Sequence, residues 1–276
     1  MTLLSASVEG VGFWCNGLPG WAAARAFLRD GALPEGAPAR PSPQLLAPNE
    51  RRRAPDTVAV ALDVALAACD DAGRDPRTLP SVFASMHGDL AITDYMCTTL
   101  ADNPRSVSPT RFHNSVHNAA AGYWTIGAGC TQAATAISAF DATFAEGLVE
   151  ALVQLAAGED TVLLVGYDGA SAGALAPVSS STGLLGGALV LSREPRAGAP
   201  RLTIERIDGD QATPPTRLQA LAGGNAMAPM LPLFEALADG TREVHLRAGA
   251  GRLLRITLAP AAPATARDAL AGAVHA

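Results

Sequence analysis

The alternation of apolar and polar positions is most legible between Asn118 and Asp168. Asn118-Ala-Ala-Ala-Gly122-Tyr-Trp-Thr125-Ile126 predicts a helix with a small-residue face. A short β-favouring run, Thr135-Ala-Ile137-Ser-Ala139, follows and breaks off at Phe140-Asp141. Phe144, Leu148, Ala151, Leu152 and Leu155 then recur at helical steps as far as Gly158. Thr161 to Val165 is a continuous apolar run, the pattern of a strand buried on both faces. Strand, sharp turn, helix and parallel strand make a βαβ unit. The residue on its sharp turn is where an enzyme of this build holds a nucleophile, and here it is Asp141.

Earlier in the chain, residues 5–14 predict a strand and Trp21 to Leu28 a short helix. Residues 31–50 are rich in Pro, Gly and Ala without periodicity and predict a surface loop. Thr57 to Ala72 is an amphipathic helix closed by Gly73. Ser81 to Ser85 is a buried strand running into Met86-His87-Gly88-Asp89, followed by a helix over 90–101 and a Pro104 to Pro109 loop. After the central unit come a small, polar stretch from Gly169 to Ser181 and a Gly-Gly pair feeding a strand at Ala188 to Leu191. From residue 201 the pattern changes to strand 202–207, a loop to 224, one helix over 226–238 and strands 243–247 and 252–258, with a frayed last dozen residues. Strands alternating with helices over the first two-thirds indicate an α/β chain with a mostly parallel sheet. The expectation is one α/β unit with a five-stranded mixed sheet over residues 1–195, with residues 196–276 packed on it.

The 276 residues supply an ample core, and 49% apolar content without an uninterrupted run of membrane-spanning length predicts a globular chain with no membrane span. The N-terminus lacks a basic, then apolar leader pattern, so a cytoplasmic location is expected. Net charge is −6, with arginine in place of lysine throughout. Arg51-Arg52-Arg53 is the one basic run, read as the solvated face at a helix start, and nucleic acid is not an expected partner.

Cys15, Cys69, Cys97 and Cys130 are widely spaced without a CxxC pair, so buried free thiols are expected in place of zinc or redox chemistry. Cys69 shares a helical apolar face with Val60, Leu62, Ala65 and Leu66, and Cys130 sits in a loop away from the sharp turn. His113 and His117 are spaced as metal ligands on a helix would be, with no third ligand nearby, so no metal is expected. His87 either lines a pocket at a strand end or bonds the following loop. Tyr123 and Trp124 are expected to pack. No GxGxxG follows a strand, so a dinucleotide is not expected, and the cofactor expectation is none.

Val107 to Asp168 resembles the N-terminal half of β-ketoacyl synthases, the thiolase-fold condensing enzymes. The matching residues are Ser108-Pro109, Asn118-x3-Gly122-x2-Thr125-Ile126, Gly129, the strand ending at the turn, the helix to Gly158, and Val162 to Gly166. Leu185-Gly-Gly-Ala-Leu-Val-Leu-Ser192 is similar to that family's glycine-rich strand, and Ser85 to Asp89 sits where its third strand ends. The likeness covers residues 1–195 and implies a thiolase-like fold with a largely complete N-terminal half (1–195) and a truncated C-terminal half (196–276).

The departures carry the functional expectation. Active ketosynthases have a cysteine at the turn, and gap-free placement puts Asp141 there. A carboxylate is a poor acyl acceptor from a thioester because the mixed anhydride lies uphill. At a helix start, Asp141 is expected to act as an N-cap. The family's His-Gly-Thr-Gly-Thr and Gly-Gly-x-Asn contexts are missing; Gly223-Gly224-Asn225 is a faint echo, His245 falls in an expected strand and His275 at the tail.

Asn114-Ser-Val-His117-Asn118-Ala-Ala-Ala-Gly122-Tyr-Trp is similar to the short chain-length-factor-like subunits of aryl-polyene and related type II polyketide pathways. That resemblance implies a non-condensing subunit paired with a catalytic β-ketoacyl-acyl carrier protein synthase and served by acyl carrier protein, with a homodimer as the isolated form left open. Thr135, Ile137, Ala139 and Phe140 would lie at the partner interface. Leu90, Thr93, Met96 and Cys97, which share one helix face, would either line the acyl tunnel or pack on the chain's own sheet. Two other classes stay open: a homodimeric thioester hydrolase or decarboxylase using Asp141, Ser138 or His87, and a scaffold with no tunnel.

Overall fold

Strands dominate the centre of the computed structural model, which describes residues 4–210 and 213–260. Eight of them form one mixed sheet in the order β3-β2-β4-β5-β1-β6-β8-β7. They are β1 (Leu4–Cys15), β2 (Ser81–Ala84), β3 (Ala134–Ile137), β4 (Thr161–Asp168), β5 (Leu185–Ser192), β6 (Arg201–Asp208), β7 (Glu243–Arg247) and β8 (Arg252–Ala259). β3 and β4 flank β2 in parallel, and every other pairing is antiparallel. Five strands come from residues before 195, as expected. The fraying expected of the last dozen residues lies outside the described residues.

The helices are α1 (Trp21–Asp30), α2 (Pro48–Arg53), α3 (Asp56–Ala72), α4 (Leu90–Asp102), α5 (Pro109–Asn114), α6 (Ala119–Ala128), α7 (Thr143–Ala157), α8 (Arg217–Ala222) and α9 (Leu231–Asp239). α3 and α7 cover opposite sheet faces, and each has its own buried cluster. α3 lies so close to β1 that a Cβ on Gly12 would stand 1.9 Å from the Val64 carbonyl oxygen. Ala61, Ala65 and Ala68 give α3 the shallow buried face that this approach requires.

α7 is packed from both sides. Its apolar stripe rests on β1, β2 and β4, and strands β6 to β8 curl over it. Arg206 on β6 pairs with Glu146 on α7. Arg247 Nη1 on β7 comes within 3.7 Å of Asp141 Oδ2, although β7 and β3 are opposite edges of the sheet. Phe234 on α9 closes this core, with its ring centroid 5.7 Å from that of Phe13 and 6.1 Å from those of Trp21 and Phe144. Burial of such a ring contributes on the order of 2–3 kcal/mol.

Four expectations are corrected. The sheet is not mostly parallel: five of its seven strand pairings are antiparallel, because β1, β5, β6, β7 and β8 are joined to their neighbours without parallel crossovers. The segment read as a loop to 224 contains α8, held by a capping box in which Thr216 and Gln219 exchange side-chain and backbone hydrogen bonds. The helix expected over 226–238 is a 3-10 turn, Ala228–Met230, followed by α9. Arg51, Arg52 and Arg53 do not open the long helix; they end the separate α2, because Pro55 cannot continue it.

Candidate functional site

The sharp turn after β3 is built by one threonine. Thr143 Oγ1 accepts from the Ala139 amide at 2.9 Å and donates to the Phe140 carbonyl at 2.6 Å. Between them Phe140 has φ 53°, the sole positive φ outside glycine among the described residues. An aromatic residue in that region costs roughly 1–3 kcal/mol, and such strain concentrates at functional turns. Phe140 is also 75% exposed, so packing within the chain does not repay the cost.

Asp141 follows in a 3-10 turn, and it is not the helix cap that the sequence suggested. Ala142 holds the cap position of α7 without a side-chain hydrogen bond. Thr143 already serves the local amide, which leaves the Asp141 carboxylate half exposed beside Arg247. Asp141→Ala and Asp141→Asn should therefore each change folding stability by less than about 0.5 kcal/mol. Urea denaturation checks this, and a loss near 1 kcal/mol would restore the capping role.

None of the four cysteines stands on the turn. Cys130 is buried with Sγ donating to the Leu79 carbonyl, and burial pushes Cys15 and Cys69 up to about 12. Cys97 is exposed on α4. The Ser138 hydroxyl donates to the Met86 carbonyl at 3.0 Å. None of the described histidines is paired with Asp141. His117 Nε2 meets the Ser85 carbonyl at 2.7 Å, His113 stacks edge-on against Tyr123, and His245 Nε2 lies 3.3 Å from Glu243. His87 Nε2 is 2.6 Å from Ser179 Oγ, and burial lowers its pKa. His275 lies outside the described residues. Trp124 is core, as expected, tilted against Phe83.

Around the turn the surface is open and apolar. β3 is an edge strand whose four residues are exposed or half exposed. Of the ten exposed large apolar side chains among the described residues, Ile126, Phe140 and Val153 lie on the elements beside this edge, and Leu100, Phe112, Val116, Leu175 and Val178 lie on α4, α5 and the loops around them. Such a concentration marks an association surface. α4 belongs to it. Leu90 is its one buried residue; Thr93 and Met96 are half buried and Cys97 is exposed. That face does not pack on the chain's own sheet.

Behind the edge, a cleft of about 840 Å³ opens where β2 and β4 end. Its walls include His87, Asp89, Asn114, Arg53 and Arg111, and of the α4 face only Leu90 reaches it. Beneath it Asp168 is fully buried; it accepts from Ser85 Oγ at 2.8 Å, Met86 N at 2.8 Å and His87 N at 3.2 Å. Burial outweighs these three donors and raises Asp168 to about 6. Asn225 Nδ2 donates to the Asp168, Thr182 and Gly183 carbonyls, and its Oδ1 accepts from Met227 N. The Gly223-Gly224-Asn225 echo thus ties loops together. Asp168 and Asn114 were not singled out from sequence; an acidic residue ending an apolar strand was the available signal for Asp168.

The family model described as the β-ketoacyl synthase N-terminal domain matches residues 21–252. None of the curated proteins matches. The solved structures include similar chains. One is in the complex of the ketosynthase ApeO with its chain length factor ApeC from Xenorhabdus doucetiae, at 23% identity and TM-score 0.72, covering 92% of this chain and 99% of that one. Another is in the ishigamide ketosynthase/chain length factor, at 16% identity and TM-score 0.69, covering 94% and 100%. A third is in the AntDE:AntF complex of a type II acyl carrier protein with its ketosynthase, at 11% identity and TM-score 0.71, covering 94% and 100%. At these identities the likeness is one of fold, and it extends over nearly the whole of both chains.

Proposed function

From the β-ketoacyl synthase N-terminal domain family, to which this chain belongs, we propose that it acts as a non-condensing, chain-length-factor-like subunit. Its partner would be a catalytic β-ketoacyl-acyl carrier protein synthase, working on chains delivered by acyl carrier protein in aryl-polyene or related polyketide elongation. The observation that carries this is the strained turn: it has Phe140-Asp141 and no cysteine, yet it stands on an open edge strand amid exposed apolar side chains. In that arrangement Thr135, Ile137, Ala139 and Phe140 meet the partner, which supplies the nucleophile and both histidines. Residues 1–195 act as the thiolase half, and residues 196–276 as a reduced second half whose strands cover α7.

The α4 face then has a task. Leu90, Thr93, Met96 and Cys97 would close the end of the partner's acyl tunnel. Thr93→Phe is expected to shorten the products of the reconstituted pair while the first condensations proceed unchanged. Mass spectrometry of products reads this out, and unchanged lengths with an intact heterodimer would leave only scaffolding. Incubating the isolated chain with radiolabelled acyl-carrier-protein thioesters tests the silent role itself. No stable acyl transfer is expected; turnover by the chain alone would favour the hydrolase.

A further inference from the structure

Arg53 and Arg111 stand at the 840 Å³ cleft without a hydrogen-bonding or ion-pair partner for either guanidinium among the described residues. The Arg111 guanidinium stacks over Tyr95, 4.1 Å from the ring centroid, an arrangement that leaves its N–H edges available. α3, seventeen residues long, begins at the same wall with Pro55 in its cap position and no side-chain cap, so the amides of its first turn are unserved. Thr57 Oγ1 donates to Asp89 Oδ2 at 2.8 Å and holds this helix start beside that of α4. Asp89 caps α4 through Ile92 N, and Arg40 neutralises Asp56. The lining thus sets three arginines, Arg40, Arg53 and Arg111, against two aspartates, Asp56 and Asp89, on a chain of net charge −6.

Asn114 supplies an independent sign. Its side chain lines the cleft, is 4% exposed, and has its Oδ1 without a partner. Burying an unserved amide costs about 1–3 kcal/mol, a cost that a ligand seated against it would remove. A half-turn about χ2 presents the amide as a donor or an acceptor. Unserved helix amides, two guanidiniums and a buried amide are the donor set that holds a tetrahedral oxyanion.

We infer that this cleft binds the phosphate group of a small phosphorylated ligand, separately from any acyl chain at the α4 face. Its volume suits a small organic molecule attached to that group. The inference does not depend on pairing with a ketosynthase.

The test is calorimetric titration of the full chain with inorganic phosphate, with acetate as the carboxylate comparison. Saturable phosphate binding is expected, with acetate weaker. Arg53→Ala, Arg111→Ala and Asn114→Asp should each weaken phosphate binding by about tenfold or more, the loss of one charge-assisted contact. The two arginines are exposed, so their variants fold whatever befalls Asn114→Asp. Absence of saturable phosphate binding, equal binding of acetate, or unchanged affinity in both arginine variants would overturn the assignment.

Discussion

Under the role proposed above, Ala136→Pro is expected to leave the isolated chain folded and to abolish its association with the catalytic partner. The asymmetry comes from the hydrogen bonds of β3. Ser81 and Ser85 amides donate to the carbonyls of Ala133 and Ile137, so odd-numbered residues turn their backbone groups toward β2. Ala136 has the opposite parity and turns its amide to the open edge. Proline is tolerated at such a position within one chain, because no bond inside the chain is lost. Across a pair of edge strands it removes one bond and drives its ring into the facing strand. Each interstrand bond contributes about 1 kcal/mol, so with the steric clash affinity should fall roughly a hundredfold or more. Thr135→Pro is the counterpart: it removes a donor aimed at β2 and should lower the melting temperature of the isolated chain. Co-purification and thermal melts distinguish the two. An intact complex carrying Ala136→Pro would remove the β3 edge from the interface.

Much of the fold was legible because burial leaves a period in the sequence. Leu148, Leu152 and Leu155 mark the buried stripe of α7, and all are at most 1% exposed. The continuous run from Thr161 to Val165 marked a strand buried on both faces, which β4 is. Single hydrogen bonds leave no period. Asp141 and Thr143 are both good cap residues two positions apart, and only the geometry shows that Thr143 serves the turn. α8 is six residues long, too short for periodicity, although Thr216-x-x-Gln219 was visible as a capping box.

Long-range arrangement was hidden for another reason. The curl of β6 to β8 over α7 depends on β6 adding to β1, as in the Leu4–Ile204 pair, far apart in sequence, and no local pattern encodes that pairing. The apolar face of α4 illustrates the same limit. An apolar stripe left open to solvent reads like one facing the core, and only the exposure of Cys97 and the partial exposure of Met96 separate them. The cleft was invisible for the same reason, since Arg53, Arg111 and Asn114 converge from separate elements.

Asp168 should make the stability of this chain fall as pH rises from about 4 to beyond 6. The carboxyl is completely buried at the end of β4, and three donors compensate only part of the desolvation of its charge. Its pKa in the fold is about 6, against 3.8 for the free group. A raised pKa means that the folded state holds the proton more tightly than the unfolded chain does. The stabilisation is complete below about pH 4 and is lost as the pH passes through about 6. A shift of about two units corresponds to about 3 kcal/mol. Asp168→Asn carries no charge at any pH and loses this dependence. Its amide turns a donor toward the amides of Met86 or His87, so it starts about 1–3 kcal/mol below the wild type at pH 4. The gap should narrow by about 3 kcal/mol, and can change sign, by pH 7. Subtracting the two chains' unfolding free energies at each pH cancels the other carboxylates. A difference that stays constant from pH 4 to 7 would mean that Asp168 is ionised throughout. Because the same carboxyl holds the turn between β2 and α4, its ionisation state also sets how firmly that turn is held. Amide exchange at Met86 and His87 should therefore change in that pH window in the wild type, beyond the intrinsic pH dependence, and not in Asp168→Asn.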